Sequence, residues 1–150
     1  MEVFADNDQC TPRRPPVLIV EDSGSVSEDI AQRLRRSGYA VESVGCGGDA
    51  LRWNAAHPEG LLLLDFWLPD MDARQIIAEI RRQGRTPAFI IMTGAGDEKT
   101  AVDMMKLGAL DYLVKDGRFL DLLPMVVAHA SPPGWMTTSP NRFTQTNLQD

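Results

Sequence analysis

The sequence is poor in cysteine and histidine and has no basic excess. Cys10 and Cys46 are its two cysteines, and their positions suggest no pairing. A disulfide framework and a cysteine-based metal site are therefore not expected, and a reducing cytoplasm is the default location. The net charge is −6, from 15 Lys+Arg against 21 Asp+Glu. That balance counts against nucleic-acid binding, so no DNA contact is expected of this chain. No apolar run approaches a membrane span; the longest clear ones are Leu61–Leu64 and Ala88–Met92. Residues 1–16 hold no apolar core of the kind a secretory signal needs.

What is present suffices for one domain. Hydrophobic residues make up 43% of the 150 positions, enough for a real core. Both ends read as loose: residues 1–16 are polar and carry Pro12, Pro15 and Pro16, and residues 131–150 are rich in Ser, Thr, Asn and Pro. Two disordered tails are expected around a domain at 17–130, with Trp135 and Phe143 as potential docking residues. No second domain is visible after Ala130, so the chain reads as a stand-alone domain or as a fragment of a longer protein.

Within 17–130 the rhythm is strand then helix, five times. Strands are expected at Val17–Val20, Tyr39–Val44, Leu61–Leu64, Ala88–Met92 and Tyr112–Val114. Ser25-x-x-Glu28 and Asp72-x-x-Gln75 read as helix starts, and Gly38, Gly84 and Gly108 as stops. Acidic first turns (Glu28, Asp29, Asp97, Glu98) and basic last turns (Arg33, Arg35, Arg36, Arg81, Arg82) suit helix dipoles. Pro124 must lie in the first turn of the last helix or kink it. Alternating units of this kind predict an α/β fold: a single-domain, doubly wound (βα)5 parallel sheet of flavodoxin-like order 2-1-3-4-5.

The carboxyl ends of the strands carry the chemistry. The first ends in Glu21-Asp22, the third in Asp65, the fourth in Thr93 and the fifth in Lys115. Glu21 or Asp22 alone has an ordinary explanation, as a precap of the next helix; the coincidence with Asp65 and Lys115 does not. Three carboxylates in one crevice take up a proton or hold a cation. Oxygen-only ligands suit a hard ion such as Mg²⁺. A carboxylate, a divalent metal, a hydroxyl and a lysine fit phosphoryl transfer, with Asp65 as the nucleophile.

At this point the sequence resembles a response-regulator receiver domain. VLIVED (17–22), LLLLDFWLPDMDA (61–73), AFIIMTG (88–94) and KLGALDYLVKD (106–116) carry the resemblance, in order and at the right spacing. It implies Mg²⁺ bound by Glu21, Asp22, Asp65 and the backbone carbonyl of Trp67. Asp65 would accept a phosphoryl group from a sensor histidine kinase or phosphotransfer protein, with Thr93 and Lys115 contacting that group. Thr93 and Tyr112 would form the switch. The switched surface would be the face of the fourth helix, fifth strand and fifth helix, serving a downstream protein target, an attached module or a homodimer. The chain would catalyse only its own phosphorylation and dephosphorylation. Three positions depart from the family pattern: Ala73 stands where Gly is usual, Asp116 where Pro is frequent, and Trp67 is large for its place.

Two other readings compete. Gly45-x-Gly47-x-x-Ala50, with Asp65 ending the next strand, approaches the fingerprint of a dinucleotide-binding oxidoreductase. It sits on the second strand and leaves Glu21, Asp22 and Lys115 without a task. A pseudo-receiver, a binding module that never takes phosphate, is the other. A P-loop is excluded at 94–100 by Glu98, a phosphatase lacks its second acid because Trp67 occupies that position, and His57 and His129 lie outside the strand-end cluster.

Overall fold

Four consecutive leucines, Leu61–Leu64, need apolar cover on both faces of the strand they form. The computed structural model describes residues 14–94 and 96–130 and supplies that cover. Its elements are β1 (Val17–Val20), α1 (Gly24–Arg36), β2 (Val41–Val44), α2 (Gly47–Ala56), β3 (Leu61–Asp65), α3 (Ala73–Arg82), β4 (Ala88–Thr93), α4 (Glu98–Lys106), β5 (Asp111–Val114) and α5 (Phe119–His129). All pairings are parallel, in the order β2-β1-β3-β4-β5. The readings on Cys10, Trp135, Phe143 and the tails at 1–13 and 131–150 fall outside the described residues.

Side chains alternate across the sheet because a strand has a period of two. Val17, Ile19, Leu61, Leu63, Ile90 and Met92 meet Ile30 and Leu34 of α1 and Leu123 and Val127 of α5. Leu18, Val20, Leu62, Leu64, Phe89 and Ile91 meet Trp53 of α2, Ile76 and Ile80 of α3 and Met104 of α4. Each fully buried chain of this size stabilises the fold by about 1.5–3 kcal/mol. No helix among the described residues is long and apolar enough to cross a membrane.

Several local expectations are corrected. Ser23, not Ser25, caps α1: its hydroxyl accepts from the Val26 N–H, and no acidic residue lies in the first turn. Glu28 and Asp29 therefore sit beyond the dipole's strongest reach. Tyr39 and Ala40 lie in the turn after α1 rather than in β2. Gly38 takes φ +94°, and the Tyr39 N–H returns to the Leu34 carbonyl, closing the helix. Asp97 flanks α4 without a side-chain capping bond. The Asp72–Gln75 box is present in full.

Pro124 lies inside α5, not in its first turn. It has no N–H for the Leu120 carbonyl four residues back. The Arg33 guanidinium of α1 donates to that carbonyl at 3.0 Å instead, and to the Asp121 carboxylate at 3.0 Å. Ala73 is buried at the start of α3, where its N–H reaches the Phe66 carbonyl at 2.8 Å. Among the described residues no non-glycine has positive φ, so alanine is accommodated there without strain.

Candidate functional site

Parallel strands deliver their last residues to one edge, and near the central strands that edge is acidic. Glu21 follows β1, and its N–H is held by the Val44 carbonyl at 3.0 Å. Asp65 ends β3, paired with Met92 of β4. Thr93 ends β4, and its carbonyl accepts from the Lys115 N–H at 2.8 Å. Carboxylate oxygens of Glu21, Asp22 and Asp65 all lie within 4.8 Å of one another. The sequence-predicted acids, hydroxyl and lysine are thus presented at one edge, where Lys115 contacts Glu21 and Asp65 directly.

Lys115 joins the carboxylates. Its Nζ is 2.5 Å from Glu21 Oε1 and 3.2 Å from Asp65 Oδ1. The second Glu21 oxygen accepts from the Ser23 N–H at 3.1 Å, so the precap reading holds for Glu21 as well. Glu21 is buried, Asp65 partly buried and Asp22 exposed. Burial raises the Asp65 pKa above the ordinary aspartate value; Lys115 lowers it, and the charges of Glu21 and Asp22 raise it further. Burial acts against the Lys115 charge, yet the hydrogen bond to Glu21 and the charges of Asp65 and Glu21 outweigh it and raise its pKa.

Thr93 is 2% exposed, and its hydroxyl has no hydrogen-bond partner among the described residues. A buried hydroxyl without a partner is costly, and this one stands at the acidic edge. Trp67 is 64% exposed. Its ring packs edge-on against Phe66, and its backbone bridges Asp72. Tyr112 is exposed on β5, an edge strand. Asp116 opens α5 through a turn: its carboxylate accepts from the Arg118 N–H at 2.9 Å and its carbonyl from the Phe119 N–H at 3.1 Å.

The response regulator receiver domain family model matches residues 17–127. The chain belongs to the response regulator receiver family. Curated relatives of this receiver include the transcriptional regulatory protein HprR of Escherichia coli. It is 35% identical over 112 residues, covering 75% of this chain and 50% of the relative. The transcriptional regulatory protein FixJ of Azorhizobium caulinodans is 34% identical, covering 69% of this chain and 49% of the relative. The chain thus spans about half the length of the curated relatives it matches. Among solved structures, the receiver resembles FixJ-N at a TM-score of 0.70 and 26% identity, covering 79% of this chain and 94% of that one. A receiver domain protein from Clostridium thermocellum gives a TM-score of 0.69 at 25% identity, covering 77% and 93%. These are regulatory domains rather than conventional enzymes.

The same geometry removes the dinucleotide reading. The Gly47 and Gly48 N–H groups, which would cradle a pyrophosphate, donate to the two Asp70 carboxylate oxygens at 2.8 and 2.9 Å. The receiver's strand order also differs from 3-2-1-4-5-6 of the dinucleotide fold. Sequence reasoning missed Asp70 because its partners lie over twenty residues away, and nothing local in the loop signals them.

Proposed function

We propose that this receiver takes a phosphoryl group on Asp65, with a divalent cation bound by Glu21, Asp22, Asp65 and the Trp67 carbonyl. The observation that carries this reading is the cluster of three carboxylates within 4.8 Å beside a lysine and the buried Thr93 hydroxyl. The donor set fits Mg²⁺: it is all oxygen, with no histidine or cysteine. With its three acids ionised and one lysine beside them, the cluster carries an excess of two negative charges, which a divalent cation offsets. When bound, the ion neutralises charge on the phosphoryl oxygens.

An Asp65 carboxylate oxygen attacks the phosphorus of a phosphohistidine on a sensor kinase or phosphotransfer protein. The new O–P bond forms as the P–N bond breaks, and the imidazole leaves as the neutral ring, keeping the electron pair of that bond and the proton already on its other nitrogen. Lys115 stays close to Asp65 and pairs with a phosphoryl oxygen; the Thr93 hydroxyl donates to another. Hydrolysis reverses the modification when water attacks the phosphorus. Drawing Thr93 toward the phosphoryl group opens space beside β4, into which Tyr112 turns. This biases the face of α4, β5 and α5, where Val102, Met105, Leu110, Tyr112 and Met125 are exposed. That face engages a downstream protein or a second copy, in the cytoplasm, without DNA contact by this domain.

Borohydride reduction tests the assignment, because it converts an aspartyl phosphate to homoserine. After treatment with acetyl phosphate and Mg²⁺, peptide mapping should place homoserine at position 65. Homoserine elsewhere, or none, overturns the reading.

A further inference from the structure

The cation ligands proposed above come from two places: the end of β1 (Glu21, Asp22) and the end of β3 with its following loop (Asp65, the Trp67 carbonyl). The loop is tied at its base. The Ala73 N–H bonds the Phe66 carbonyl at 2.8 Å, Trp67 bridges Asp72, and the Asp72–Gln75 box closes the start of α3. Those ties join the loop to itself and to α3. None of them reaches the β1 side.

Asp70 does. Its two carboxylate oxygens accept from the Gly47 and Gly48 N–H groups at 2.8 and 2.9 Å. These amides open α2, whose own cap residue, Cys46, makes no side-chain bond. Free amides and a helix dipole both favour a carboxylate there, and such bonds are among the stronger ones. Next to Asp70, Met71 lies so close over Gly47 that a Cβ there would come within 2.4 Å of its Cγ. On the far side, a Cβ at Gly45 would stand 3.9 Å from Asp22 Cα and the Glu21 carbonyl. The turn leading into α2, at Gly45, thus runs beside the backbone of both β1 ligands, while the amides just after it hold the loop.

We propose that Asp70 is a positioning residue for the cation site: through the start of α2 it fixes the loop carrying the Trp67 carbonyl against the end of β1. This rests on the cation reading given above. It acts through the Gly47 and Gly48 amides and does not touch the phosphoryl group.

The test is an NMR titration with MgCl₂ in the absence of any phosphoryl donor, following the Asp65 and Trp67 amides in the full chain. Wild type should saturate; a wild type indifferent to Mg²⁺ overturns the cation reading and this inference with it. Given a responsive wild type, Asp70→Ala should raise the Mg²⁺ midpoint at least threefold and speed hydrogen exchange at Gly47 and Gly48. Asp70→Asn loses the charge but keeps one acceptor, and should fall between. An unchanged midpoint in Asp70→Ala overturns the positioning role. Equal shifts in the Ala and Asn variants also overturn it, because they mark a through-space charge effect alone. If Asp70→Ala does not fold, Asp70→Asn and wild type decide: an unchanged Asn midpoint despite faster exchange at Gly47 and Gly48 overturns the proposal, and a raised midpoint with faster exchange supports it.

Discussion

The Lys115 ammonium lies 3.2 Å from the Asp65 carboxylate, and still Asp65 holds its proton more tightly than an ordinary aspartate. Burial and two neighbouring acids outweigh the lysine. In the folded state the ionised Asp65 therefore costs stability, and the cost applies at pH values above its raised pKa. It fades as pH falls through that value and is gone below the unfolded one. Asp65→Asn should accordingly melt higher than wild type at pH 7 without divalent ions, and the gap should close toward pH 4. Each kcal/mol gained raises the melting point of such a domain by about 4 °C. A lower melting point for Asp65→Asn at pH 7 contradicts this balance.

The contact between Gly47 and Met71 makes a second prediction. A methyl group at position 47 overlaps Met71, with Ile76 close behind at 3.2 Å. Gly47→Ala should cost about 1–3 kcal/mol by overpacking. Adding Met71→Ala should recover part of the Gly47→Ala loss, measured against Met71→Ala alone. Urea unfolding of the four chains gives the coupling; strictly additive losses would mean that the two residues do not meet.

Arg33 substitutes for the hydrogen bond that Pro124 removes from α5. Arg33→Ala should destabilise by about 1 kcal/mol, since the Leu120 carbonyl loses its partner. Asp121→Ala should change stability little, because Asp121 is 78% exposed and surface pairs are weak. Denaturant midpoints check both, and equal effects would assign the stabilisation to the ion pair.

Trp67 stands two residues after Asp65 in the sequence and is largely exposed. An indole that covers the proposed phosphorylation site would hinder the approach of water to the acyl phosphate. Trp67→Asn should shorten the phosphorylated lifetime roughly twofold or more, measured as decay of the adduct after removal of the donor. An unchanged lifetime shows that the indole leaves Asp65 open.

The strand order and the meeting of Glu21, Asp22, Asp65 and Lys115 were legible in the sequence, because parallel βα units force strand ends to one edge. The stops at Gly38, Gly84 and Gly108 were legible too, since only a few residues decide them. What was not legible depends on distant partners. Arg33 looks like a dipole-compensating residue until α5 lies beside it. Asp70 looks like a turn residue until α2 arrives. The first helix start was misplaced by two residues because Ser23 and Ser25 are equivalent as letters, and the cap is decided by which hydroxyl meets the Val26 N–H.

The central claim is acceptance of a phosphoryl group by Asp65 with a divalent cation. Intact mass after incubation with acetyl phosphate tests it most directly, with wild type, Asp65→Asn and a chelator control side by side. The account predicts one phosphoryl adduct on wild type in Mg²⁺, and none on Asp65→Asn or with the chelator. An adduct that persists without Asp65 or without Mg²⁺, or no adduct on wild type, contradicts it.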